Sequence, residues 1–158
     1  MQFLVPIVIA LAFGIGIYFL TKVRVGCAQY NTTIMNFHAT LMDASRMIIT
    51  LQDGAERAVE INKPWVFKEL AKICCHARPT KELCGNHKTQ LQFTLWTDLQ
   101  MLKFECCVSQ MRTDDLIITI PDLGNLGTDV RVLLPGLNRW LTENIEGYNQ
   151  LLEKAVDT

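Results

Sequence analysis

TQLQFTLWTDLQMLKFECCVSQMR, residues 89–112, is the stretch on which the fold turns. Leu91, Leu95, Leu99, Leu102 and Cys106 recur at intervals of three and four, which brings side chains onto one face of a helix. Trp96, Phe104, Cys107, Val108 and Met111 widen that face. The spacing predicts a helix over about 89–112, apolar enough to lie at the centre of a helical bundle.

Upstream, Pro64 suits the first position of a helix over about 64–77, with Val66, Leu70, Ile73 and Ala77 on one face. Arg78-Pro79 should end it, because a residue before proline avoids the helical region. Further back, Ile34, Leu41, Ile48 and Ala55 lie seven apart, and Phe37, Ala44, Leu51 and Ala58 fall three residues after each. That is an a/d heptad pattern, which predicts a helix over about 25–62 with a coiled-coil or bundle seam. Ile34, Phe37, Leu41, Ala44, Ile48 and Leu51 are its candidate interaction face.

Downstream, DDLIITIPDLGNLG (114–127) breaks the helical pattern, and Leu116–Ile120 reads as a short extended segment. From Gly136, the residues Leu137, Leu141, Ile145, Tyr148, Leu152 and Ala155 predict a last helix over about 136–156. The expected fold is therefore all-α: an N-terminal transmembrane helix (1–24, with its basic flank) continuing into a small helical bundle or coiled-coil domain (25–158).

The anchor is read from FLVPIVIALAFGIGIYFL, residues 3–20, which holds no charged or amide side chain. As a helix it would be about 27 Å long, close to the hydrocarbon thickness of a bilayer. A cleaved signal peptide would want a basic residue before the apolar run, and none is there. A retained, single-pass signal-anchor fits better, with Tyr18, Lys22 and Arg24 at the interface. Lys22 and Arg24 favour a cytoplasmic C-terminal domain by the positive-inside rule. The six cysteines and the Asn31-Thr32-Thr33 sequon favour the exoplasmic or lumenal side, or a viral envelope, and the reading leans that way.

A net charge of −1 with 20% charged residues excludes the basic stripe that nucleic acid binding needs, and suits surface buried against lipid or protein. The chemistry-bearing stretch is ICCHARPTKELCGNH, residues 73–87. Cys75, His76, Cys84 and His87 are a candidate zinc set, although adjacent helical residues such as Cys75 and His76 point about 100° apart. Cys74, Cys75, Cys84, Cys106 and Cys107 are the disulfide candidates. A bridge from Cys74 or Cys75 to Cys84 would staple the turn locally. A bridge between the doublets is disfavoured, since a straight helical hairpin sets them on the order of 20 Å apart. Cys27 reads as an interfacial cysteine, and Trp65, Trp96 and Trp140 as core or interface anchors.

Catalysis has little support. His38 reads as a packing residue, Asp114-Asp115 as a helix-ending pair, and no phosphate-cradling loop, G-x-S-x-G or H-E-x-x-H occurs. The segments YNTTIMNF (30–37) and IEGYNQLLEK (145–154) resemble the LemA family, in which an N-terminal span precedes a helical bundle. The basic pair and apolar LIPNLV segment of that family are missing here and the cysteines are foreign to it, so the resemblance implies no function.

The expectation is a non-enzymatic structural or interaction subunit, held in the bilayer by residues 3–20. It would dock through its helical domain on other subunits of a membrane or envelope complex, or on itself. No resident cofactor, nucleic acid or small-molecule substrate is implied. The alternative is a redox- or metal-responsive membrane protein using residues 74–87, with zinc as the metal.

Overall fold

The computed structural model describes residues 4–51, 58–82, 84, 90–121 and 129–156. Two compact units divide the chain, Met1–Thr32 and Thr33–Thr158. The first is helical: α1 (Leu4–Met42) begins in it. From 11 to 24 every side chain is exposed, including Leu11, Phe13, Ile17 and Leu20. By length and composition, the stretch Leu11–Met42 of α1 is long and apolar enough to cross a membrane, and it is the one helix among the described residues that is.

The second unit is built on a sheet, which overturns the all-α expectation. Its elements are the end of α1, β1 (Ala44–Leu51), β2 (Ala58–Ile61), α2 (Pro64–Cys74), β3 (Arg78–Pro79), β4 (Gln90–Thr97), β5 (Met101–Val108), β6 (Leu116–Ile120), β7 (Val130–Leu134), α3 (Leu137–Asn144) and α4 (Tyr148–Val156). Among the described residues, seven antiparallel strands lie in the order β2-β1-β4-β5-β6-β7-β3.

The stretch at 89–112 is a hairpin. Leu91, Phe93 and Leu95 alternate with Gln92, Thr94 and Trp96, so one face is apolar in the period-two pattern of a strand. Leu91 pairs with Cys106, Phe93 with Phe104 and Leu95 with Leu102. Thr97 builds the turn: its N–H donates to Gln100 O at 2.9 Å, and its hydroxyl accepts from the N–H groups of Leu99 (3.3 Å) and Gln100 (3.1 Å). Leu99, expected in a bundle core, stands 96% exposed at the tip.

The heptad also ends early. α1 stops at Met42, and Ala44, Ile48 and Leu51 belong to β1, where Ile48-Ile49-Thr50 is a β-branched run suited to a pleated strand. There is no coiled-coil seam through these residues. Met47, Ile49 and Leu51 face the core and Ile48 faces the other way, as the pairings Ile49–Phe93 and Leu51–Leu91 require.

The core lies between this inner face and the helices. Phe37 and Leu41 from α1, Val66, Phe67, Leu70 and Cys74 from α2, Leu137 and Leu141 from α3, and Tyr148 and Leu151 from α4 are all buried. Phe104 is its hub, with ring centroids 5.1 Å from Phe37 and 5.3 Å from Phe93. The single helix expected over 136–156 is broken in two at Ile145–Gly147. Gly147 has φ +83°, in the left-handed region that side chains rarely adopt, so the break needs glycine's conformational freedom.

Candidate functional site

The second face of the sheet is exposed along Arg46, Met101, Lys103 and Glu105, yet Cys107 and Ile117, cross-strand partners on that same face, are each 1% exposed. Cys107 is reached by the segment after α2. β3 pairs through Arg78 with Leu133 and through Pro79 with Val132, and Thr80 N–H donates to Arg131 O at 3.4 Å. The chain then returns across β6 towards β5, where Cys84 forms a disulfide with Cys107 (Cα–Cα 5.8 Å). Residues 78–82 and Cys84 thus form a strap.

A second attachment lies beside the disulfide. The Glu82 carboxylate accepts from the Ser109 hydroxyl (3.0 and 3.1 Å), from Gln110 N–H (2.7 Å) and from Met111 N–H (3.4 Å). Two consecutive amides and a hydroxyl converging on one carboxylate make a small anion-binding concavity, filled here by the chain's own side chain. Ser109 is itself pinned, its N–H donating to Asp115 O (3.0 Å) and its Oγ accepting from Arg112 N–H (3.1 Å).

The far side of this turn is tied to α3. Asp115 is buried and its Oδ1 accepts from Gly136 N–H at 2.8 Å. Asn138 Nδ2 donates to Thr113 O (2.6 Å), and the Tyr148 hydroxyl donates to Asn138 Oδ1 (2.8 Å). Burial, with Cys106 nearby, pushes the Tyr148 phenol upward, so it stays a proton donor in this chain of bonds.

The remaining thiols are scattered. Cys74 ends α2 facing the core, where burial, then the neighbouring Cys75, pushes its pKa up to about 12. Cys106 lies on the inner face and burial pushes it upward too, so both stay protonated and poorly nucleophilic. Cys75 and Cys27 are exposed.

The disulfide is neither of the two weighed from sequence. Cys84 bridges to β5 and not to Cys74 or Cys75, because β4 and β5 fold back as strands and β3 starts the strap at the opposite edge of the sheet. The zinc set loses Cys84, whose sulfur is spent in the disulfide. His76 is exposed just beyond α2, and His87 lies outside the described residues. Among the described residues no group of three His, Cys, Asp or Glu could hold a metal ion. Of the interaction face, Phe37, Leu41 and Leu51 are consumed inside the core and Ile34, Ala44 and Ile48 are half-buried. Glu82 and Ser109 were not singled out from sequence. They stand 27 residues apart and nothing in their local pattern announces the contact.

A shallow groove of about 230 Å³ between β2, the start of α2 and the α3–α4 junction is lined by Glu60, Lys63, Asn144 and Glu146, among others. Glu60 is already engaged by Arg46 Nε at 2.7 Å.

No family model matches the chain, no curated protein is significantly similar to it, and no solved structure matches its fold. The helical bundle that the LemA resemblance implied is replaced by a sheet.

Proposed function

We propose that the protein is a single-pass, membrane-anchored structural or interaction subunit, with its sheet domain in an aqueous compartment. The observation that carries this is the surface of α1 from 11 to 24. Apolar side chains project all round it, with Leu11 60%, Phe13 70% and Leu20 64% exposed. In water such a surface would be strongly disfavoured, whereas lipid covers it at no cost. The polar groups suit the same setting. The Thr21 hydroxyl donates to Ile17 O and Tyr18 O at 2.9 Å, and Lys22 lies over the Tyr18 ring at 6.0 Å, an arrangement of the membrane interface.

The Cys84–Cys107 disulfide favours the exoplasmic or lumenal side, since such bonds persist in oxidising compartments. Leu99 (96% exposed) and Met111 (87% exposed) leave apolar side chains on the sheet domain for protein contacts. Alkaline carbonate washing of membranes tests the anchor: the full chain stays in the pellet and a chain lacking residues 3–20 moves to the supernatant. Extraction in mild detergent tests the interaction role. The expected particle is larger than one chain, and a monodisperse monomer with no co-purifying partner contradicts the reading.

A further inference from the structure

We propose that the strap is a redox-controlled clasp: the Cys84–Cys107 disulfide and the Glu82 contact with the β5–β6 turn close it cooperatively, and a dithiol reductant opens it. Both attachments hold the same short piece of chain, Glu82 and Cys84, to the same end of β5, at Cys107 and at Ser109–Met111. Each therefore raises the effective concentration of the other's partners. The clasp is bonded to Cys107, which is buried on a face that is exposed at Lys103.

In the opening step a thiolate of the reductant attacks one sulfur of the disulfide. The other sulfur leaves as a thiolate and takes up a proton. The reductant's second thiol then displaces the first protein sulfur, which is protonated in turn. Two electrons pass to the protein, leaving the Cys84 and Cys107 thiols and a reductant disulfide. Cys74 and Cys106 do not compete, because both are buried on the core side of the sheet. Once the bond is cut, Glu82 is, among the described residues, what still ties the end of the strap to β5, while the β3–β7 pairing keeps its start in place. The Glu82 bonds are charge-assisted but lie at the surface, where water competes for the same amides.

Hydrogen–deuterium exchange of the full chain in detergent, with and without dithiothreitol as the probe, tests the clasp. Reduction should speed exchange at Gln110 and Met111 at least tenfold by local opening, while Leu91–Leu95 in β4, though quickened by the lower global stability, still exchanges far more slowly than an unfolded chain. Unchanged protection at Gln110 and Met111 would overturn the proposal, because Glu82 would then hold the end of the strap unaided. Loss of protection throughout β4 would also overturn it, since the bond would then staple the whole domain. The reciprocal arm uses Glu82→Ala with the disulfide intact. The dithiothreitol concentration giving half reduction should fall at least tenfold, because the variant loses the charge-assisted bonds from all three donors, Ser109, Gln110 and Met111. An unshifted midpoint means two independent attachments and no clasp.

Discussion

Residues 11–20 of α1 and Leu116–Ile120 of β6 are both apolar runs, and they end in opposite surroundings. In the first every side chain is exposed. In the second, four of five are buried, with Leu116, Ile118 and Ile120 facing the core and Ile117 buried on the other face. The difference lies in where each segment's backbone finds its partners. A helix satisfies its own N–H and C=O groups and can leave its side chains to lipid. A strand borrows its partners from neighbours, here β5 and β7, and those neighbours bring the rest of the domain with them.

Breaking the lipid side of that comparison should have the largest effect. Leu11→Arg with Phe13→Arg places two charges near mid-span, at about 3 kcal/mol each, and should move the chain from membrane pellet to supernatant in carbonate washing. The secondary structure of the sheet domain, followed by circular dichroism, should be retained. On the protein side, Phe104→Ala removes the ring shared by Phe37 and Phe93 and should cost about 3–5 kcal/mol, read from the denaturant midpoint of the chain in detergent. The anchor partition should not change.

Cys84→Ser opens a loop spanning 23 residues and should cost roughly 3 kcal/mol by the chain-entropy estimate, seen as a lowered Tm that reductant does not lower further. A smaller effect comes from alkali. The Cys74 pKa is raised from 9.0 to about 12, so between those pH values the folded state keeps a proton that the unfolded state gives up. Stability from this thiol is intact below pH 9 and should fall by about 1.4 kcal/mol per pH unit above it, with Cys106 adding in the same direction. Denaturant midpoints at pH 8 and pH 10 check the sign, and Cys74→Ala should flatten the slope.

Some of this was legible in the residues. The apolar run marks the start of α1, and Pro64 marks the start of α2. The sheet was not, because an interval of four satisfies a helix and a strand alike: Leu91 and Leu95 share a face in either. What decides is the residue between them. Phe93 is apolar on the same face, and Gln92 and Thr94 are polar opposite, a pattern of period two. Reading on to Leu99 and Leu102 then carried the helix through what is a turn at Thr97–Gln100. The heptad at 34–51 failed in the same way, joining the last turns of α1 to β1 across Asp43. The disulfide depends on topology as a whole. The estimate that separated the cysteine doublets assumed a helical rise, and no local pattern says that β3 pairs with β7 and so sends the strap back over β6 to β5.

Photolabelling of the full chain in lipid vesicles by an apolar, bilayer-resident carbene probe, mapped by mass spectrometry, tests the central contrast most directly. Label should concentrate on residues 11–20 and leave Leu116–Ile120 untouched, although the two are similarly apolar. Label in β6, or none on residues 11–20, would contradict it.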